Sequence, residues 1–258
     1  MKKELRSITA LLFTVILISA CSPLKVSFSS SGPQRIDEVA LVSTYLRIQL
    51  PVTPLIDAAV MNEKTNSMAN EINLLFEENI DGIRETTAEM LQNRLRCKVI
   101  YGVALHSLTG FKEFKEAYSA VGALTTGYDN FPEIVYAKDD VNPFEFENAR
   151  IERYFQHPDK YAFIVAKVCE ALNVDYIAVS ETVLSPLPGS IIAPATLITY
   201  AYFYLFDRQG TCLASGRNFY KPPVKYKATD IEGFIQALDN SAGALSPIID
   251  KVAGKYGN

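Results

Sequence analysis

The chain has 258 residues, of which 48% are hydrophobic and 21% charged, and its net charge at neutral pH is −4. Phosphate binding needs clustered Lys and Arg, which this acidic sequence lacks, so we expect no nucleic-acid partner. A chain of this length can bury the core of one large domain, or of one domain with a sizeable insertion.

The amino terminus has the pattern of a secretory signal sequence. Its first residues include three cations, Lys2, Lys3 and Arg6, and an apolar run of 11 residues follows at positions 8–18. This run is too short for a helix that crosses about 30 Å of hydrocarbon, but it has the length of a signal-peptide core. We therefore interpret residues 1–20 as a signal peptide that is removed.

The apolar run ends in Ile18-Ser19-Ala20-Cys21, which resembles the lipobox of bacterial lipoproteins. The resemblance implies cleavage between Ala20 and Cys21, a diacylglyceryl group on the Cys21 sulfur, and an acyl chain such as palmitate on the new amino terminus. Several acyl chains together give a stable membrane anchor. Because Ser22 follows the cysteine instead of Asp, the pattern favours the outer membrane, on its periplasmic side. The same anchor also permits display on the cell surface.

The segment after Cys21 has the composition of a linker. Removing residues 1–20 takes three basic and one acidic residue from 25 and 29, so the mature chain has 22 basic and 28 acidic residues and a net charge of −6. The next stretch, SPLKVSFSSSGP, is rich in Ser and ends in Gly and Pro, which is typical of a flexible segment. We predict a flexible tether over residues 21–36 and a single folded domain over residues 37–258.

Three cysteines lie in the predicted domain, Cys97, Cys169 and Cys212. An odd number allows at most one internal disulfide and leaves at least one thiol. Their apolar or mixed surroundings favour buried thiols that act as small apolar groups, while a disulfide and a reactive thiol stay open as alternatives. The chain has two histidines, His106 and His157, and no HExxH motif or Cys/His cluster, so we expect neither a metal site nor a cofactor.

The first half of the domain is predicted to be strand, helix, strand. Alternating apolar residues predict a strand over 38–50, and apolar residues at spacings of three and four predict a long helix over about 68–91. A second strand is predicted over 97–105. Residues 106–156 form an irregular excursion whose aromatic content indicates ordered structure.

The second half is predicted to be one helix, three strands and a final helix. The ranges are 158–173 for the first helix, 174–184, 195–207 and 211–221 for the strands, and a start at Thr229 for the last helix. Asp207 to Gly210 has the composition of a hairpin turn, because Gly210 tolerates positive φ. Thr229 and Glu232 form a capping box, and Pro247 is expected to kink or split the last helix.

Two features of these strands are candidates for function. Tyr200, Tyr202 and Tyr204 are predicted to share one face of their strand, and Ala201, Phe203 and Leu205 the other. A row of tyrosines can bind sugar rings, although packing under helices is the favoured interpretation. Glu181 lies in a predicted central strand, where burial would shift its pKa, but an outward position on a half-exposed strand is the favoured interpretation. We assign no catalytic residue.

The order strand, helix, strand, helix, strand, strand, strand, helix predicts an α/β fold, in which a mixed sheet of about five strands carries helices in a single domain. Two stretches, EALNVDYIAVSETV and YLFDRQGTCLASG, resemble the α/β domain shared by the translocation protein TolB, at its amino terminus, and the curli secretion lipoprotein CsgG. The resemblance covers about thirty residues and implies a fold, because neither stretch is a catalytic motif.

The sequence therefore predicts a lipoprotein that acts as a binding or assembly component of a cell-envelope complex, with envelope proteins as partners and no enzymatic activity. An oligomeric curli-type secretion channel and a carbohydrate-binding or hydrolytic lipoprotein are the alternatives. Exposed apolar loops often mark interfaces. The predicted contact residues lie in the connection 185–194 and in the excursion, and they are Leu187, Ile191, Ile192, Phe131 and Tyr136.

Overall fold

The computed structural model describes residues 24–49, 58–111, 133–136, 158–187, 196–220 and 231–257. The strands in this part of the chain are β1 (Lys25–Phe28), β2 (Glu38–Gln49), β3 (Lys98–Ile100), β4 (Glu133–Tyr136), β5 (Tyr176–Leu187), β6 (Thr196–Asp207) and β7 (Cys212–Tyr220). The helices are α1 (Ala58–Leu95), α2 (Gly102–His106), α3 (Pro158–Leu172), α4 (Ile231–Asp239) and α5 (Ser241–Tyr256).

The strands form one mixed sheet in the order β1-β7-β6-β5-β2-β3, and β4 pairs with the end of β2. β2 pairs in parallel with β3 and β5, and the other neighbours pair antiparallel. This confirms the predicted α/β fold with a mixed sheet and packed helices. The described sheet has seven strands instead of about five, because β1 and β4 have only four residues each, too few for a recognisable pattern.

Helices cover both faces of the sheet. On the first face, which we call the α5 face, side chains of α1, α4 and α5 pack on small and apolar residues of the central strands; they include Phe76, Leu91, Phe234, Leu245 and Ile248. On the opposite face, which we call the α3 face, Val165, Val168 and Leu172 of α3 pack on β2, β5 and β6. The core therefore has two layers, separated by the sheet.

The hairpin between β5 and β6 is longer than predicted. Its register runs as far as Leu187 opposite Thr196, so residues 185–187 belong to the sheet and not to a loop. Pairing between β5 and β2 ends earlier, at Leu184. A proline has no N–H to donate to a neighbouring strand, so it is tolerated at an edge position but not at a central one. Pro186 lies beyond the pairing with β2 and can therefore be accommodated. The residues that join the two strands, 188–195, lie outside the described part of the chain.

The turn between β6 and β7 confirms the predicted hairpin. The Asp207 carboxylate accepts hydrogen bonds from the backbone N–H groups of Gln209 (3.0 Å) and Thr211 (2.8 Å). Gly210 has φ of +81°, and a Cβ at this position would collide with the backbone of Ala162 in α3. The turn is therefore fixed both by its own hydrogen bonds and by its contact with α3.

Two predicted boundaries differ from the structure. The strand predicted over 97–105 is shorter, since β3 ends at Ile100. Gly102 then has φ of +53° and turns the chain into α2.

The last helix is split at Asn240 and not at Pro247, which lies inside α5. The Ala244 N–H donates to the Asn240 carbonyl (3.0 Å), so α5 begins directly after α4 and carries its apolar residues back onto the sheet. Thr229 lies outside the described residues.

The predicted tether differs as well. Residues 25–28 fall within the range 21–36, yet they form β1 and pair with β7 from Lys25 opposite Arg217 to Phe28 opposite Ala214. The Ser29 N–H then donates to the Leu213 carbonyl (2.9 Å). A strand at a sheet edge is held by backbone hydrogen bonds, which a Ser-rich sequence can form as well as an apolar one. Composition therefore suggested a linker where the backbone completes a sheet.

We expect Gly216→Ala to lower the free energy of unfolding by about 1–3 kcal/mol, because overpacking strains a filled core. Gly216 lies in β7 on the α5 face, and a Cβ there would overlap the Ile248 side chain. The matched control is Gly82→Ala in α1, where a Cβ meets nothing within 4 Å. This control should gain about 0.5–1 kcal/mol from helix propensity. Urea unfolding of the two variants checks both signs, and equal effects would contradict the packing of α5 on β7.

Candidate functional site

The predicted contact residues are only partly within the described chain. Leu187 is the last residue of β5 and Tyr136 the last residue of β4, where it pairs with Leu46 of β2. Phe131, Ile191 and Ile192 lie outside the described residues, as do Ala20 and Cys21. The structure thus places the two described residues in strands of one sheet.

A row of polar and aromatic residues crosses the α3 face from strand to strand. In register, Tyr45 of β2 is opposite Glu181 of β5, which is opposite Tyr202 of β6, and Arg217 of β7 and Lys25 of β1 follow. Residues that are opposite in register point to the same side of a sheet. Tyr45 and Glu181 are buried, Tyr202 is half-buried, and Arg217 and Lys25 are exposed. The row therefore runs from the core to the solvent.

Glu181 forms a buried ion pair with Arg47 of β2. The Arg47 Nη2 atom lies 2.5 Å from the Glu181 Oε1 atom, and the two side chains are 15% and 7% exposed. A carboxylate removed from water is costly unless an opposite charge stabilises it, and the guanidinium group of Arg47 provides that charge. The solvated, outward position considered for Glu181 is therefore wrong, and the pair joins the two parallel strands.

Arg47 was missed at the sequence level, although a signal for it exists. Both Arg47, in YLRIQL, and Glu181, in VSETVL, are single charges within otherwise apolar or uncharged strands. Two opposite charges in two buried strands indicate that the strands are neighbours. In the observed register Arg47 is opposite Val183, two residues after Glu181, so the ion pair is diagonal.

The tyrosines of β6 do not form a continuous exposed platform. Tyr204 is buried in the core beneath α3, and Tyr202 packs against that core. Tyr200 is half-buried and lies beside Phe219 of β7, with ring centroids 5.8 Å apart and planes inclined by 51°. The predicted alternation is confirmed, because Ala201, Phe203 and Leu205 are buried on the α5 face. The row thus packs mainly as structure, and the structure offers no flat three-ring surface for a sugar in this strand.

The three domain cysteines are free thiols, and their surroundings favour the protonated form. Burial raises the pKa of Cys97 to about 11 and that of Cys169 and Cys212 to about 12. The Cys169 thiol lies 3.8 Å from the Asp207 carbonyl oxygen, to which it donates. A nucleophilic cysteine needs a lowered pKa. These thiols therefore act as small core groups, as the favoured interpretation predicted.

The β1 strand forms one edge of the described sheet. Its residues alternate between the two faces, so Lys25 and Ser27 share a face with Arg217, while Phe28 lies on the α5 face. The Phe28 ring is 38% exposed and meets the Tyr256 ring edge-on at a centroid distance of 6.0 Å. This edge combines two cations with a partly exposed aromatic ring.

Among the residues that the structure describes, no group of three or more His, Cys, Asp or Glu side chains could hold a metal ion. No helix in the described ranges combines the length and the apolar character needed to cross a membrane. Within the described ranges, the ion pair and the thiols make the contacts of a folded core.

We expect Glu181→Ala to lower the free energy of unfolding by about 3–5 kcal/mol, because it leaves the half-buried Arg47 charge without its carboxylate. The control is Asp37→Ala, which breaks the exposed pair with Arg35 (side chains 79% and 52% exposed). This control should cost about 0–1 kcal/mol. A double variant, Arg47→Met with Glu181→Leu, should regain most of the loss. Urea unfolding measures all three, and a small effect of Glu181→Ala alone would contradict a buried pair.

We also expect stability to fall as the pH rises above 9. An unfolded thiol ionises near pH 9, whereas burial keeps the pKa of Cys169 at about 12. The folded state then holds more protons, so this contribution is fully present below pH 9 and is lost as the pH approaches 12. Cys169→Ala should make the decline shallower by up to about 1.4 kcal/mol per pH unit. Urea unfolding between pH 8 and 10.5 measures the slopes, and an unchanged slope would contradict the raised pKa.

No protein-family model matches the chain, and no curated protein matches it. Among solved structures, the chain is similar to the PelC dodecamer from Paraburkholderia phytofirmans, at 10% identity and a TM-score of 0.31, over 91% of this chain and 98% of that one. A second crystal form, of a PelC variant from the same organism, gives 10% identity and a TM-score of 0.31, over 88% and 97%. Similarity at this level carries no argument about function.

Proposed function

We propose that this chain is an outer-membrane-anchored lipoprotein that faces the periplasm and acts as a binding or assembly component of a cell-envelope complex. The observation that carries the proposal is the lipobox stretch Ile18-Ser19-Ala20-Cys21 together with the folded sheet that begins at Lys25. A signal sequence of this kind leads out of the cytoplasm, and a lipid on Cys21 would hold a compact α/β domain at a membrane.

The chemistry of the described core supports binding over catalysis. Glu181 is neutralised by Arg47, and burial keeps Cys97, Cys169 and Cys212 protonated. Paired charges and buried thiols of this kind stabilise a fold, whereas a nucleophilic cysteine needs a lowered pKa. Several large apolar or aromatic side chains are exposed on the described surface, such as the ring of Phe219 at 37% exposure. Such side chains are suited to contact with other proteins.

The proposed partner surface comprises the end of the β5–β6 hairpin with Leu187, Ile191 and Ile192, and the β4 region with Phe131 and Tyr136. The register of β5 and β6 runs as far as Leu187 opposite Thr196, so residues 188–195 connect two long, paired antiparallel strands. Binding residues are commonly carried on loops that a rigid scaffold positions. This arrangement supports the surface as a site for envelope proteins.

We expect affinity purification of the full chain from membranes to recover it with acyl chains on Cys21 and with envelope proteins bound. Cys21→Ala should remove the acyl chains and release the protein into the soluble fraction, because the anchor is lost. The control is Cys212→Ala, which removes a thiol from the domain and should leave the protein in the membrane. Mass spectrometry of the amino-terminal peptide and of the co-purified proteins gives both results.

The same purification tests the contact residues. Alanine substitutions at Leu187, Ile191 and Ile192, and separately at Phe131 and Tyr136, should remove partners while the anchor stays. Val103→Ala, at an exposed apolar residue of α2, is the matched control. If every partner remains with all variants, the proposed surface is overturned. Electron microscopy of the extracted protein separates this function from the channel alternative, which requires rings.

A further inference from the structure

The position of β1 limits how far the domain can move from its proposed anchor. Only Ser22, Pro23 and Leu24 separate Cys21 from Lys25, the first residue of β1. An extended chain spans at most about 3.3–3.6 Å per residue, so the Cα atoms of Cys21 and Lys25 are at most about 14 Å apart. A tether through residue 36 would have allowed about 50 Å. The sheet edge, and not a long linker, is therefore next to the lipid-bearing residue.

The segment that follows β1 fixes this arrangement in the fold. Beyond the four register pairs between β1 and β7, Gly32 packs so closely on Tyr256 that a Cβ there would lie 3.1 Å from the phenolic oxygen. The buried Ile36 donates its N–H to the Tyr256 carbonyl (3.3 Å), and the Tyr256 hydroxyl donates to the Leu213 carbonyl (2.9 Å). The chain from β1 to β2 thus follows β7 and α5, so β1 is an integral part of the folded domain.

The charges at this edge fit an anionic surface. Lys25 and Arg217 are opposite each other in the β1–β7 register, and both are exposed on the same face. Like charges directly opposite on paired strands destabilise the pair. Phosphate groups of lipids would relieve this repulsion, and basic residues near a membrane surface are attracted to anionic lipids. On the other face of β1 the Phe28 ring is 38% exposed, and an exposed apolar ring beside cations can insert into the boundary between headgroups and acyl chains.

We propose that the edge formed by Lys25, Ser27, Phe28 and Arg217, which we call the β1 edge, lies against the lipid bilayer that holds the acyl chains of Cys21. This inference rests on the proposed lipid anchor. Lys25 and Arg217 then contact lipid phosphates. The opposite end of the strand order, formed by β3 and called the β3 edge, faces away from the membrane. Five strand intervals of about 4.8 Å separate β1 from β3, or about 24 Å across the sheet. The domain therefore has a fixed orientation, with the β3 side presented to the periplasm.

The test uses the full acylated protein in vesicles of phosphatidylethanolamine and phosphatidylglycerol that contain a lipid with a quencher on its headgroup. A fluorescent label is attached at Ser27→Cys on the β1 edge, or at Lys98→Cys on the β3 edge; both positions are exposed. The three domain thiols, with a raised pKa, should label slowly. We expect quenching at Ser27 to be at least about threefold stronger, given the 24 Å separation.

A charge-reversal pair tests the contact with phosphate. Lys25→Glu with Arg217→Glu should weaken quenching at Ser27, because the edge then repels anionic lipids. The matched control reverses two exposed cations elsewhere, Lys167→Glu with Arg96→Glu, and should leave the quenching unchanged. Equal effects of the two pairs would overturn the role of the β1 edge charges.

Mass spectrometry of each preparation separates this inference from the proposed function. An unacylated Cys21 overturns the proposed function and this inference with it. An acylated protein with equal quenching at the two labels overturns the orientation alone. A third outcome is that the label at Ser27 is shielded from the lipid quencher and transfers energy to labels on other copies. A second copy of the chain then covers the β1 edge, and the bilayer assignment is overturned.

Discussion

The parallel pairing of β2 with β5 is the contact on which the other features of the fold depend. It extends from Ala40 opposite Ile177 to Ile48 opposite Leu184. Parallel strands need a crossover connection, and both of their faces are normally covered by helices. Here α1 and α5 cover one face and α3 the other. Charges on this pair of covered strands are therefore largely withdrawn from water, which is why Arg47 and Glu181 must compensate each other.

The two faces of the sheet are filled in different ways. On the α5 face, small residues such as Ala178, Ala201 and Gly216 let the helices approach closely. Asn218 and Thr199 donate hydrogen bonds there to carbonyls of α5 and α4, at 2.9 and 2.8 Å. Large buried aromatic rings lie on both faces, for example Phe203 on the α5 face and Phe206 on the α3 face. The α3 face also carries the ion pair of Arg47 with Glu181. The α5 side is thus specified by close contact and hydrogen bonds, and the α3 side by paired charges.

The sequence allowed the long, regular elements to be predicted, because their hydrophobic periodicity reflects burial. Strands β2, β5, β6 and β7 and helix α3 were all located within a few residues. Features that depend on tertiary partners could not be predicted. The sequence of β1 has the composition of a linker, and it forms a strand only because it pairs with the edge of β7. The helix break at Asn240 depends on how α5 packs back onto the sheet. The single charges Arg47 and Glu181 could be seen in their strands, but their ion pair depends on the parallel pairing of β2 with β5.

The pairing of β1 with β7 also constrains the order of folding. The two strands are separated by most of the chain, with Lys25 opposite Arg217. β1 has no strand edge to join until β7 has formed, and contacts between distant segments carry a loop-closure cost that slows folding. We therefore expect completion of this edge to be a late event. The segment closest to the proposed anchor is then among the last parts of the domain to reach its native partner.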